Sequence, residues 1–205
     1  MSLSASPLGR RERSKQDKKE RIRAAAGELF ALHDVGTVTT QQIADRADIA
    51  IGTLYLYAAT KAELLIMVQN QKFATAIDDG LSAAAAVKGR LDAVLALLHP
   101  VVICVLEHVE NGRFYLNELV SGDPTEPYRR EGLTLAARLE DGLRALLGRD
   151  GRIRAGDARM LARVITAVLH LSITGTVNRD RAVDDVMADI QGQIRAVLGQ
   201  SPPQG

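Results

Sequence analysis

Thr39-Thr40-Gln41-Gln42-Ile43-Ala44-Asp45-Arg46-Ala47-Asp48-Ile49-Ala50-Ile51-Gly52-Thr53-Leu54-Tyr55-Leu56-Tyr57-Ala58 is the stretch that decides the fold of this chain. Thr39 and Gln42 stand in capping-box spacing ahead of Ile43 and Ala44, which predicts a short helix closing near Ala47-Asp48. The turn Ala47-Asp48-Ile49-Ala50 offers small residues at its tight point and Ile49 to pack beneath it. A further helix begins around Ile51 and carries Leu54, Tyr55 and Tyr57, with Leu54 as the inward residue. Upstream, Ile22, Ala25, Ala26, Leu29 and Phe30 recur at helical spacing. Asp17 with Glu20 reads as the capping pair of that first helix, which should end near Leu32–Asp34. Two short helices joined by a tight turn behind a first helix form a helix-turn-helix at about 39–58, within a domain spanning 17–65.

Such a motif places the second helix of the pair in the major groove of duplex DNA. Thr39 would supply a cap and a hydroxyl, with Thr40 and Gln41 beside it at the helix start. Ile51, Gly52 and Thr53 would open the recognition helix toward the groove, and Tyr55 and Tyr57 would give phenolic hydroxyls to the backbone. Lys61, at the next helix start, would act as a phosphate clamp. Base reading would fall chiefly to Gln41, Ile51, Gly52 and Thr53. A plainer reading stands beside each of these. Tyr55 and Tyr57 could be partly core, and Ile51 could meet a thymine methyl or simply close the turn.

The remaining sequence is also helical in pattern. Thr60 and Glu63 form a second capping box that opens a helix through Leu64, Leu65 and Val68 toward Phe73. Leu91, Val94, Leu95 and Leu98 make a stripe that Pro100 should break, with a new helix from Val101 to Val120. A loop at 121–127 precedes helices at about 128–148, 157–175 and 183–198, and a Pro-rich tail starts at Ser201. Hydrophobic residues are 46% of the chain, yet aromatics are 3% and Trp is absent, so Leu, Ala, Val and Ile must build the core. That favours helix over sheet. The expected architecture is all-α with about nine helices: a helix-turn-helix domain, then a helical body at 66–200.

Net charge is +1, but residues 1–23 hold eight Lys or Arg against three acids. Residues 1–16 therefore read as a disordered basic arm, suited either to phosphate or to solubility. The lone Cys104 excludes an internal disulfide and fits a reducing compartment. With no apolar run long enough to span a bilayer and no secretory h-region, a cytoplasmic protein with no membrane association is expected.

In the helical body, Ile103, Cys104, Glu107, His108, Phe114, Tyr115, Asn117 and His170 are candidates for lining a mainly apolar pocket. Cys104 and His108 share metal-ligand types at helical spacing, but two such groups do not make a metal site, and pocket lining or core filling suits them better. No cofactor motif and no nucleophile–base pair stand out, so an enzyme is not indicated. The apolar stripes of 128–148 and 157–177 suit either a subunit interface or the monomer core. A two-fold dimer would match a pseudo-palindromic operator.

Arg21-Ile22-Arg23-Ala24-Ala25-Ala26, Leu29-Phe30, Thr39, Ile43-Ala44, Ala47, Ile49, Gly52-Thr53-Leu54-Tyr55-Leu56-Tyr57 and Lys61 together closely resemble the N-terminal domain of TetR-family transcriptional regulators. The resemblance covers roughly 17–65. It implies a homodimeric all-α repressor whose C-terminal domain binds a small effector and pairs mainly through its last two long helices. Four positions depart from the family pattern. Asp34 and Asp48 replace turn glycines, so Asp is expected in a left-handed conformation there. Ala50 lacks the hydroxyl of the usual capping Ser, and Ala58 replaces an aromatic. The resulting expectation is a ligand-responsive dimeric repressor that binds DNA. The alternative is an all-helical small-molecule binding or adaptor protein with a vestigial helix-turn-helix.

Overall fold

The computed structural model describes residues 7–175, 178 and 181–199. Among the described residues there are no strands and nine helices: α1 (Pro7–Leu32), α2 (Thr40–Arg46), α3 (Ile51–Leu54), α4 (Lys61–Ala85), α5 (Arg90–Leu106), α6 (Val109–Ser121), α7 (Pro127–Gly148), α8 (Ala155–Thr174) and α9 (Val183–Val197). The chain divides into two compact units, residues 1–68 and 69–205.

The N-terminal unit closes over Ile22, Ala26, Ile43, Ala44, Leu54 and Leu64, all fully buried. Its first helix is longer than the sequence pattern suggests. Residues 7–16, expected to be disordered, are helical. Arg11, Glu12, Arg13, Lys15 and Gln16 are good helix formers, and Pro7 sits at the first position, where its missing N–H costs nothing. A helix already nucleated by the buried Ile22–Phe30 stripe can extend backward at one hydrogen bond per added residue. Asp17 and Glu20 consequently lie inside α1 and cap nothing; Glu20 pairs with Arg23 and accepts from Gln16 Nε2 at 3.0 Å. The expectations for residues 1–6 and for the tail from Ser201 lie outside the described residues.

In the second unit α5 packs against α6, α7, α8 and α9, and α7 lies along α8. Pro100 does not break α5. Leu97, Leu98, Val101 and Val102 around it are buried, so tertiary packing holds the helix through a half-exposed proline. The break comes instead at Glu107–His108, where the chain bends by 110° into α6. Gly112 permits the bend: a Cβ there would sit 1.9 Å from the carbonyl oxygen of Val105. Thus the single helix expected over 101–120 is two helices, the first reaching back to Arg90.

Buried polar groups fix the joints of this unit. The Arg129 guanidinium donates to the carbonyls of Glu118 (2.7 Å) and Asp123 (3.1 Å) and pairs with the carboxylates of Glu118 and Glu126, clamping the 122–126 loop. Arg113 donates to the carbonyls of Ile173 (3.1 Å) and Gly175 (2.8 Å), satisfying the end of α8. Tyr115 donates to Asn70 Oδ1 at 3.0 Å, and Asn70 donates to the Tyr128 carbonyl at 2.8 Å. Among the described residues no single helix is long and apolar enough to cross a membrane.

Candidate nucleic-acid interface

α2 has seven residues and α3 four, far below the length at which a helix is stable alone. For α2, side-chain bonds to backbone groups make up the difference. Thr39 takes extended backbone angles and accepts from Gln42 N at 3.2 Å, while Gln42 Oε1 accepts from Thr39 N at 2.8 Å. This is the reciprocal capping box expected from the spacing. At the other end of α2, Arg21 of α1 donates through Nε to the Ala47 carbonyl at 3.0 Å and also reaches the Asp48 carbonyl. Asp48 has φ 52°, the one positive φ at a non-glycine position among the described residues, so Arg21 steadies the turn where the backbone is least favourable. Asp34 does not share this conformation, and the expectation of a left-handed Asp there is corrected. Its carbonyl instead accepts from Thr37 N at 2.9 Å, closing an ordinary turn.

α3 starts at Ala50 without a side-chain cap, as the missing hydroxyl requires. Leu54 is fully buried and Ala58 nearly so. Ile51 and Thr53 are half-buried and Gly52 is exposed. Tyr55 is exposed and its hydroxyl lies 3.1 Å from Thr40 Oγ1, which brings the starts of α2 and α3 together. Tyr57 is half-buried and donates to the Lys15 carbonyl at 3.3 Å. Gln41 is exposed, with its amide donating to Asp45 at 2.6 Å. Lys61 is half-buried and donates to the carbonyls of Val38 (2.8 Å) and Gly36 (3.2 Å), so its first role is to tie the α1–α2 turn to the start of α4. Thr60 Oγ1 accepts from Glu63 N at 3.1 Å and caps α4.

Two features of this unit escape sequence reasoning. Leu56 is 84% exposed beside Tyr55, an apolar side chain presented outward by the motif itself. The signal was present: Leu54 and Leu56, two positions apart, cannot share a helix face. Arg21 offered no such signal, because its partners lie 26 and 27 residues away in sequence.

Residues 22–68 match the sequence profile of bacterial regulatory proteins of the tetR family. Residues 22–68 form a TetR-type domain. This domain coincides with the N-terminal unit that holds the helix-turn-helix. Among solved structures the chain is similar to a TetR transcriptional regulator from Rhodococcus sp. RHA1, with TM-score 0.70 and 19% identity over 93% of this chain and 99% of that one. It is also similar to Thermus thermophilus FadR, a TetR-family repressor in complex with lauroyl-CoA, with TM-score 0.70 and 18% identity over 91% and 96% of the two chains. Bacillus subtilis FadR in complex with stearoyl-CoA matches with TM-score 0.65 and 18% identity over 89% and 99%. At these identities the likeness is one of fold. No curated protein is significantly similar in sequence. The N-terminal unit therefore carries a DNA-binding domain of the type found in bacterial regulatory proteins, and the reading of its motif as vestigial is not favoured.

The second unit holds a cavity of about 670 Å³. Phe73, Val105, Leu116, Leu139 and Leu169 give it an apolar wall, and Glu140, Arg163, Thr166 and His170 are its polar lining. Two helices present the same spacing to it: Leu133, Ala136, Ala137 and Glu140 on α7, and Arg163, Thr166, Ala167 and His170 on α8. The three alanines leave the room that larger side chains would fill. Burial holds the His170 imidazole below its ordinary pKa, favouring the neutral ring.

Of the pocket residues expected from sequence, His170 alone lines this cavity. Ile103 and Asn117 are exposed, and Glu107 pairs with Lys72 at 2.6 Å. His108 starts α6 at the bend, Phe114 is half-buried, and Tyr115 belongs to the buried bond with Asn70 while its ring meets Phe73 edge-on at 5.9 Å. Cys104 is half-buried, and burial pushes its thiol up to about 11, so it stays protonated at neutral pH. Within α5 the cavity takes Val101 and Val105, and the 110° bend beyond Leu106 ends the phase that a single helix over 101–120 would carry to Phe114, Tyr115 and Asn117. Among the described residues no three His, Cys, Asp or Glu side chains converge as a metal site.

Proposed function

We propose that this regulator is a dimeric repressor released from its operator by a small molecule with a substantial apolar part. The observation that carries this reading is a TetR-type DNA-binding domain followed by a helical unit with a cavity of about 670 Å³, mostly apolar and equipped with a few polar groups. Such lining fits a ligand whose apolar body is buried and whose polar end is oriented by a small number of side chains. Among the described residues Glu140 and Arg163 are in no ion pair, so both are available to a polar ligand end. Two structures of similar fold carry lauroyl-CoA and stearoyl-CoA, which makes acyl-CoA thioesters the first effectors to try.

DNA contact in this reading rests on Thr39, Thr40, Gln41, Ile51, Gly52, Thr53, Tyr55, Tyr57 and Lys61, with Leu56 added as an apolar contact to the groove wall. Thr39 and Lys61 act mainly by holding the motif in shape, since the cap and the two turn carbonyls engage them. Dimerisation uses α8, where Met160, Val164 and Leu171 are exposed, Leu171 also lining the cavity. Two such subunits would present paired α3 helices to successive major grooves of a pseudo-palindromic site. The protein is non-enzymatic and cytoplasmic in this reading.

The test is a titration of the purified protein against duplex from the region upstream of its own gene, followed by addition of acyl-CoA thioesters of increasing chain length. Salt-sensitive binding that a thioester reverses supports the reading, because release requires a ligand that prefers the non-binding state. Binding that no thioester reverses removes the acyl effector, and absence of binding to any duplex removes the repressor.

A further inference from the structure

We propose that the extension of α1 ahead of the core is a rigid phosphate-gripping arm, in which Arg11, Lys15 and Lys18 engage duplex DNA flanking the sequence met by α3; this rests on the DNA-binding reading above. Positions 11, 15, 18 and 22 are spaced four, three and four apart, so the three cations continue the helix face that Ile22 starts. From Ile22 onward that face is buried with Ala25, Ala26 and Phe30 in the core of the N-terminal unit. Ahead of Ile22 there is no core to cover, and the same face changes from apolar to cationic.

The placement is fixed by a contact. Tyr57, just beyond α3, donates to the backbone carbonyl of Lys15 at 3.3 Å, so the middle of the cationic stretch lies beside the end of the recognition segment. Arg11, Lys15 and Lys18 are exposed, and among the described residues no ion pair or hydrogen bond engages their side chains. Three arginines of this unit are engaged, Arg23 with Glu20, Arg46 with Glu28, and Arg21 with the turn carbonyls.

The acids are sorted the other way. Asp17 and Glu20 lie on the side of α1 away from the stripe, together with Arg13, and Glu12 lies at its edge. A tail that served solubility alone has no reason to separate its charges by face. The helix has nothing to bury over 11–18, where every residue is exposed. From Ile22 back to Arg11 a helix spans roughly 16 Å, the axial length of about five nucleotides of one strand, so the arm is long enough to follow the backbone past the groove occupied by α3. Duplex DNA is favoured over an anionic membrane because the stripe contains no apolar residue to insert.

The experiment measures binding of the full chain, at a series of salt concentrations, to an upstream duplex that the wild type recognises. Three variants are compared with it: R11Q/K15Q/K18Q, R13Q on the opposite face, and Q16P, which keeps all the charges but interrupts the helix. The triple variant is expected to lose at least tenfold in affinity at low salt. Its plot of log K against log salt should be shallower by about 2–3 per protomer, at roughly 0.9 for each phosphate contact removed. R13Q should stay near the wild-type slope, and Q16P should move toward the triple variant, with thermal unfolding of all three unchanged. A wild-type slope in the triple variant overturns the proposal. A wild-type slope in Q16P also overturns it, since the charges would then act as a flexible tail. Wild-type protein that binds no duplex at all overturns the DNA-binding reading itself. Loss of binding to anionic vesicles with unchanged DNA binding assigns the stripe to a membrane and overturns the duplex.

Discussion

The two units of this protein solve the problem of holding helices in opposite ways. In the N-terminal unit the seven-residue α2 persists because polar side chains close its ends, Thr39 with Gln42 and Arg21 on the turn carbonyls, while the four-residue α3 has no side-chain cap and is anchored by its buried Leu54. In the second unit α5 to α9 run from 13 to 22 residues, and none of their N-terminal caps is a side-chain hydrogen bond. Those helices are held by buried Leu, Val and Ile faces and by a few buried polar clamps. Nucleation explains the difference. A short helix gains too few backbone bonds to offset the ordering of its first turn, so it needs caps or a buried anchor from outside itself, whereas a long amphipathic helix draws its stability from packing along its whole face.

The contrast can be broken most severely at the Arg129 clamp. Arg129→Ala leaves the Glu118 and Glu126 carboxylates facing a site from which their cation has gone, and should cost about 3–5 kcal/mol in denaturant unfolding. A loss below 1 kcal/mol would show that packing alone holds the second unit. Next comes Arg21→Ala, which strips hydrogen bonds from the end of α2 and should cost about 1–2 kcal/mol. Faster amide exchange at Ile49, whose N–H bonds the Ala44 carbonyl at 3.0 Å, would locate that loss in the turn. Unchanged exchange there would contradict the role given to Arg21.

Thr39→Ala should cost about 1 kcal/mol, while Ala182→Ser, which adds a cap to α9 at extended backbone angles, should gain at most about that much. If the two effects proved equal in size, capping would matter as much to long helices as to short ones. The smallest effect concerns His170. Its folded pKa is depressed by burial, so the unfolded chain takes up the proton first as pH falls below about 6.5. Stability should therefore decline through that window until the folded pKa is passed, and His170→Gln should flatten the decline. A stability profile that rises on acidification from pH 7 to 5 in the wild type alone would refute this.

What the residues disclosed follows the same division. The capping box at Thr39, the left-handed turn at Asp48, the inward Leu54 and the missing cap at Ala50 are local features, legible because their partners lie a few positions away. The pocket was largely illegible. His170 lines the cavity, whereas Ile103, Cys104, Glu107, His108, Phe114, Tyr115 and Asn117 do not, because which face of α5 and α6 meets the cavity is set by the packing of α7 and α8 and by the bend at Glu107–His108. The extension of α1 to Pro7 was missed for a related reason: polar residues carry no apolar period, yet a helix seeded elsewhere recruits them.

The sequence by itself determined an all-helical chain, a helix-turn-helix at 39–58 and a TetR-type N-terminal domain. These rest on short-range hydrogen bonding and on periodicity, which each segment carries within itself. Tertiary structure alone decided where α5 ends, which faces of α7 and α8 enclose the cavity, and that Arg21, Lys61 and Tyr57 hold the motif from a distance. Those outcomes depend on which distant surface wins burial, and burial is a property of the assembled core rather than of any stretch of chain.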